Sequence, residues 1–538
     1  MAIVRSQCGQ CGVGCGIRAV TDTDRRVTVE GDRLHPANGG LLCDRGQALG
    51  DDAISLEGRL LRPLVDGRQT GWDRAIAQVA RRLSTIMARH GPGSIALHIG
   101  GGLLTEDYYV ANKLMKGFFG SAHIHAPWRD GSSAAHVRAF GEDVMPAAYE
   151  DIDRAATILL VGGGIMAQPV LLDRVKTARE AGARLVLLTD AGVAIDADLR
   201  LTLKPGSAAR LLTGALLHGH DKGRHDTAFL ARSVAVPADF WERFRPGHDI
   251  WSIARATGLT TAAIRAFYDE WIATDRVVTL FTGSECADLA AAVINLHLAS
   301  GRIGRPGATP FAITGAANGM GAREVGCVAD SLAAHRDFAP DARASVARFW
   351  GARLLAEGPG LEGEALLRAM RDGQVRALWS IGADRAAEAW LGEARALVPL
   401  AVRSTDSVAE QGDGWSMLLP SATWVEKDGT LTGMDRLVSR QRRLLPLPGE
   451  ARPDWWMLTK VAQAMGWGDA FHYERPADIY REHGRLTAYG NDGGRLLNLR
   501  RHAPISNPAY EELTPWRWGE VPFDGGHFPT PDGRARFA

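Results

Sequence analysis

Short apolar runs alternate with helix-spaced apolar positions along most of this chain, and the alternation predicts its skeleton. Runs at Ile95–Ile99, Thr157–Val161, Leu185–Leu188, Val277–Phe281 and Ala377–Ile381 read as strands. Ile76, Val79, Ala80 and Leu83 recur at helical spacing behind Thr70-Gly-Trp-Asp73, where Thr70 is the expected N-cap with Asp73 three residues on. Strands alternating with helices argue for parallel sheets covered on both faces, so the fold class is α/β. One unit is clear: strand Thr157–Val161 runs into Gly162-Gly163-Gly164, a helix covers roughly Val170–Ala181, and strand Leu185–Leu188 ends at Thr189-Asp190. Glycines after the first strand let a phosphate approach the backbone, and an acid after the second suits a ribose hydroxyl. The same glycine turn is common without any ligand, so the pattern alone leaves a nucleotide site and a plain turn both open.

At 538 residues the chain is too long for one hydrophobic core, and several domains are expected. Its formal net charge of +0 gives no reason to expect a nucleic-acid partner. No apolar run reaches membrane-spanning length, and no leader fits before Cys8, so a cytoplasmic protein is expected, without membrane contact.

Six cysteines are too few for a disulfide framework, and four of them crowd the first 43 residues. The text is Cys8-Gly-Gln-Cys11-Gly-Val-Gly-Cys15, then 27 residues, then Cys43-Asp-Arg-Gly46. Close spacing lets one glycine-rich loop supply three thiolates around an inorganic core, and the fourth returns from a distance. This favours a [4Fe–4S] cluster held by Cys8, Cys11, Cys15 and Cys43. Structural zinc is the alternative, but it usually takes two matched Cys-x-x-Cys knuckles, and the second half here has one cysteine. Cys286 and Cys327 stand alone and read as small buried hydrophobes.

The cysteine cluster, with Gly31-Asp-Arg-Leu-His-Pro-Ala-Asn38, resembles the start of the molybdopterin oxidoreductases. Leu103-Leu-Thr-Glu-Asp-Tyr-Tyr-Val-Ala-Asn-Lys-Leu-Met-Lys-Gly117, Arg138-Ala-Phe-Gly-Glu-Asp-Val144 and Met320-Gly-Ala-Arg-Glu-Val-Gly326 look like the assimilatory nitrate reductase catalytic subunit. So do Glu426-Lys-Asp-Gly-Thr430, Ser439-Arg-Gln441 and Gly449-Glu-Ala-Arg-Pro-Asp-Trp-Trp456, in family order up to Gly533-Arg-Ala-Arg536. The resemblance implies two molybdopterin guanine dinucleotides binding one molybdenum between two α/β domains. Electrons would enter from ferredoxin, flavodoxin or a reductase subunit, pass through the cluster and a pterin, and reduce nitrate to nitrite. By position, Gly162, Gly163 and Asp190 match the family's dinucleotide-contacting turns, and Lys204-Pro205-Gly206-Ser207 matches a second such loop. Arg45 stands where the family usually has a lysine between cluster and pterin, which keeps the charge but changes the hydrogen-bond geometry. Met320 and Arg323 match residues lining the substrate funnel, where a cation suits nitrate; a salt-bridged Arg323 is the competing reading.

Two departures accompany these matches. The segment that supplies a molybdenum-binding cysteine in close relatives reads His125-Ala-Pro-Trp-Arg-Asp-Gly-Ser-Ser-Ala-Ala-His136, and Asp130 falls where the thiolate would be. Aspartate is an acceptable hard ligand, so Asp130 is the candidate, with a solvated loop carboxylate as the alternative. Relatives also continue past the Gly533 motif into a β-barrel that closes over the pterins, so this chain is expected to lack that domain or to receive it from a separate chain. In addition, the loop at Gly283-Ser-Glu-Cys286 is shorter than the family's, and Ala208 replaces an acid. The expected organisation is a cluster domain over 1–60, a first α/β domain over 61–140 and 310–450, an inserted α/β domain over 141–309, and an extended or helical tail over 451–538. The alternatives are a degenerate paralogue that holds the cluster without molybdenum catalysis, and another oxo-transfer or formate-type reaction.

Overall fold

The apolar runs assemble into two parallel sheets, each covered by helices. The computed structural model describes residues 3–22, 26–53, 55–129, 131–190, 192–282, 287–383, 385–409 and 414–538. Strands Ile95–Ile99, Thr157–Val161 and Ala377–Ile381 form over the runs read from sequence, and every residue in them is buried. A strand with helices on both faces has no solvent side, so it needs apolar residues without alternation.

The smaller of these sheets has five strands, in the order Leu199–Thr202, Arg184–Thr189, Thr157–Val161, Val277–Thr282, Thr309–Ile313, all parallel. The chain leaves its central strand Thr157–Val161 toward one edge and later returns to the other side. Helix Pro169–Glu180 makes the first crossover. The strand Thr309–Ile313 pairs along its length with Val278–Thr282.

The second sheet has seven strands and is built from both sides of that insertion. Its parallel part runs Met417–Pro420, Leu400–Thr405, Ala377–Ile381, Ile95–Ile99, Ile124–His125. Leu64–Val65 and Arg68–Gln69 extend it antiparallel. Helix Trp72–His90 covers it, and its N-cap is Gly71, not Thr70. The Gly71 carbonyl accepts the first helical bond, from Ala75 at 3.1 Å, while the Thr70 amide bonds the Pro63 carbonyl at 2.9 Å.

An antiparallel sheet of Ile3–Gln7, Gly16–Thr21 and Val27–Gly31 carries the cysteine loop. The segment after 450 is more than a tail. Helices Asp454–Ala464 and Pro476–Ala488 pack on the buried helix Thr105–Asn112. Further on, Trp516–Arg517 pairs with Leu437–Val438, and Ala535–Arg536 pairs with Val234–Ala235 of the inserted domain. No helix among the described residues is long and apolar enough to cross a membrane.

The Glu426–Thr430 motif ties these parts together through buried charge. Glu426 forms a two-bond pair with Arg59, at 3.0 and 2.8 Å. Lys427 Nζ lies 2.6 Å from Asp454 Oδ2 and 3.6 Å from Asp107 Oδ2, all three side chains being buried. Burial opposes the ammonium charge, but the two carboxylates outweigh it and push the lysine pKa up. Thr430 donates from its amide and hydroxyl to Glu106, at 2.8 and 2.9 Å. Removing one partner from such a set strands the others. Lys427→Met is expected to lower stability by about 3–5 kcal/mol, read as a shift of the denaturant-unfolding curve; an unshifted curve would show the charges to be solvated.

Candidate functional site

The cysteine loop connects Ile3–Gln7 to Gly16–Thr21, and its backbone folds back on itself. Cys8 N donates to Cys15 O at 2.8 Å and Gly14 N to Cys11 O at 3.3 Å, with Gly14 at φ +67°. Neighbouring parts fix it from outside: Tyr149 Oη donates to Val13 O at 2.9 Å, Met434 N to Gly12 O at 2.9 Å, and Trp424 Nε1 to Gln7 O at 2.9 Å. A side chain at Gly12 would collide with the Thr314 carbonyl, so the loop lies against the inserted domain's last strand.

Cys8, Cys11 and Cys15 are buried, and Cys43 is half-buried. Each of the four thiols lies within electrostatic range of the other three. Burial pushes Cys8 up to about 12, reinforced by Cys11 and Cys43, while a bond from the Gln10 backbone and the charge of Arg45 pull the other way. Such thiols ionise only when a metal takes the proton's place. Among the described residues, no three His, Cys, Asp or Glu side chains stand close enough to hold one ion.

Arg45 joins this loop to the inserted domain. Its guanidinium lowers the pKa of Cys8 and Cys11, and its Nη2 donates to Ala167 O at 2.6 Å. Ala167 closes the short 3-10 turn Gly164–Ala167, directly after the glycines that follow strand Thr157–Val161.

Those glycines stand where the strand order of the five-stranded sheet reverses, the crevice where open α/β sheets bind ligands. A cleft of ≈ 280 Å³ opens there, lined by Gly162, Asp190, Lys204 and Gly206 among others. Gly162 adopts φ +78° and its amide bonds Leu188 O at 2.8 Å; Gly206 adopts φ +73°. Gly163, Pro205 and Ser207 adjoin the lining, and Ser207 Oγ closes its loop on Lys204 O at 2.7 Å. A carboxylate, an ammonium and two left-handed glycines suit a dinucleotide's sugar and phosphate. The seven-stranded sheet has a matching reversal between Ile95–Ile99 and Ala377–Ile381, where Gly100 N bonds Ile381 O at 2.9 Å and Gly382 adopts φ +60°.

A second cleft, ≈ 490 Å³, opens beside the Arg138 and Met320 blocks. Arg323 lines it, but its Nε donates to buried Asp143 Oδ2 at 2.6 Å, so the salt-bridged form is the one present. Burial alone would raise the Asp143 pKa; Arg323, His136 and His335 outweigh it and hold the carboxyl well below its usual range. Ser133 Oγ adds a third bond to Asp143, at 2.8 Å. Met320 is buried and outside the lining, its sulfur 3.7 Å from Arg323 Nη2, so it supports the arginine from behind. Asp130 lies outside the described residues, as does Cys286; Arg129 and Ser133, on either side of Asp130, line the cleft. Cys327 is fully buried, its thiol pushed up to about 12 by burial. Sequence reasoning missed Arg129, Arg138, Arg336, Arg495 and His335 in this wall. The nearest signal was the Ala-His335-Arg336 run soon after the Met320 block; nothing marked Arg495.

Comparison with known proteins follows the same outline. Residues 1–53 match the molybdopterin oxidoreductase Fe4S4 domain, and residues 59–464 match the molybdopterin oxidoreductase model. These two matches assign a [4Fe–4S] cluster and a molybdenum-bearing pterin as cofactors. The nitrate reductase of Klebsiella oxytoca is 41% identical over 96% of this chain, and that of Shewanella frigidimarina 32% over 100%. The chain covers 61% of the length of each. Acetylene hydratase from Pelobacter acetylenicus shares the fold at 16% identity, with a TM-score of 0.76 over 99% of this chain and 77% of that one. With a family model spanning most of its length and the cysteines gathered as that family's first domain needs, the chain belongs to the molybdopterin oxidoreductases.

Proposed function

We propose that this chain carries the catalytic site of a nitrate reductase, taking electrons in at the cluster and reducing nitrate to nitrite. The observation that carries the reading is the likeness to two nitrate reductases, maintained across nearly the whole chain. The geometry adds support. Arginines outnumber carboxylates in the ≈ 490 Å³ cleft, which suits a small anion. Two strand-order reversals, each followed by left-handed or closely packed glycines, suit two dinucleotides.

Cys8, Cys11, Cys15 and Cys43 would hold the cluster, and the burial of the first three limits water around it. Arg45 balances the cluster's negative charge and fixes the loop to the dinucleotide cleft. Asp190, Lys204 and the glycines would hold the dinucleotide end of one pterin. When bound, the molybdenum pterin supplies the two-electron oxygen-removal chemistry. Asp130 is the proposed protein ligand to that metal. Nitrate takes two electrons and two protons and leaves as nitrite and water, and the donor is a ferredoxin, flavodoxin or reductase subunit.

One observation favours a second reading, a chain that moves electrons without molybdenum turnover: the cation expected for nitrate, Arg323, is already engaged by Asp143. Metal content separates the two. Purified anaerobically from a host that makes the cofactor, the protein is expected to hold about four irons per chain, together with molybdenum, and to oxidise reduced viologen when nitrate is added. Cluster without molybdenum would favour the second reading. Cys15→Ala and Cys43→Ala are each expected to lose the cluster's visible absorption and most of the iron; zinc in the wild-type protein would overturn the cluster assignment. Arg45→Met is expected to keep the iron but slow nitrate-dependent viologen oxidation roughly tenfold, about 1.4 kcal/mol of barrier; an unchanged rate would remove Arg45 from the electron path.

A further inference from the structure

The cleft wall contains buried polar atoms that nothing among the described residues satisfies. Arg495 Nε and Nη2 are buried and have no hydrogen-bond partner, and the same is true of His335 Nε2. Both residues line the cleft that Arg323 borders. Arg323 and Arg336 differ from them in having fixed partners. Arg323 bonds Asp143, and Arg336 reaches the carbonyls of Ala333, Leu486 and Tyr489 at 3.3, 3.2 and 2.5 Å. A buried donor without an acceptor is costly, so such groups persist mainly where an acceptor arrives from outside.

Both residues are also held in place by their surroundings. His335 sits in a tight turn at φ +52°, after Ala334 at φ +61°, a conformation that non-glycine residues rarely adopt. The turn is closed by Leu332 N to Arg336 O at 2.7 Å and by Ala334 N to Glu324 O at 2.8 Å. Glu142 Oε1 lies 2.9 Å from His335 Nδ1, and the ring side chain is only 3% exposed. The Glu142 carboxylate also accepts the amides of Leu496 and Leu497, at 2.7 and 3.0 Å, so it links the histidine to the segment that presents Arg495. The Arg495 backbone is pinned separately by Asn491 Oδ1 at 3.1 Å. Burial disfavours the charged ring, but Glu142, Asp143 and Glu324 outweigh it and raise its pKa.

We infer that His335 and Arg495 form the oxyanion-recognition subsite of this cleft, the ring Nε2–H and the guanidinium Nε–H and Nη2–H donating to a small planar oxyanion such as nitrate. This rests on the nitrate reading of the same cleft. It moves substrate recognition from Arg323, which is neutralised by Asp143, to two residues from separate segments.

The test is calorimetric titration of the oxidised holoprotein with sodium nitrate, run beside steady-state kinetics, on wild type, His335→Gln, Arg495→Gln and Arg495→Lys. Loss of a hydrogen bond to a charged group is expected to weaken nitrate binding about 10- to 100-fold in the two Gln variants. KM should rise in parallel, kcat should fall less, and Arg495→Lys should recover part of the loss. Iron content reports folding. Should His335→Gln lose its iron, Arg495→Gln decides alone, because the backbone bonds of that segment do not need the arginine side chain. Wild type that binds nitrate without reducing it would defeat the nitrate reductase reading and leave the subsite standing. Nitrate reduction with KM and affinity unchanged in the Gln variants, or no nitrate uptake by wild type, would overturn the subsite.

Discussion

A lysine ammonium taken out of water must find its counter-charge inside the protein, and Lys427 finds two. Asp107 comes from the helix that underlies the first α/β domain, and Asp454 from the helix that opens the C-terminal segment. Neighbouring residues repeat the device: Glu426 reaches Arg59 near the N-terminal end of the chain, and Thr430 reaches Glu106. Three segments distant in sequence are thus registered against one five-residue strip. Apolar packing alone would let these segments slide, because the hydrophobic effect has no direction. Paired buried charges do not allow that, since a small displacement leaves an ion unsolvated.

That registration also fixes the cysteine loop. The cysteine loop is bonded from outside by Trp424 and Met434, which flank the same strip, and by Tyr149 from the inserted domain. Arg45 then spans from the thiols to the turn after strand Thr157–Val161. Cluster loop and glycine turn are therefore joined by a direct hydrogen bond.

Much of the frame was legible in the residues. Central strands of a parallel sheet are buried on both faces, and Ile95–Ile99, Thr157–Val161 and Ala377–Ile381 were readable as short, mostly apolar runs of strand length. The N-cap of the first long helix falls one residue beyond Thr70, because the Gly71 carbonyl accepts the first helical bond from Ala75. The cluster cysteines and the Gly162, Asp190, Lys204 cleft were local patterns and could be found locally. The cationic cleft could not: Arg129, Arg323 and Arg495 lie far apart in the chain, and only the fold makes them neighbours. Nor could sequence tell that Asp143 would occupy Arg323.

The split construction of the seven-stranded sheet has a consequence for the order of assembly. Ala377–Ile381 lies between Ile95–Ile99 and Leu400–Thr405, so the sheet stays open until most of the chain has been synthesised. The five-stranded sheet draws only on 157–313 and can close earlier. Contacts so distant in sequence form slowly, because loop closure must precede any gain from packing. During that interval the nascent chain presents Ile95–Ile99, a mostly apolar strand edge, to whatever is nearby. A ribosome-associated chaperone, or fast folding of the insertion to bring the two halves together, would decide how much of the protein escapes aggregation.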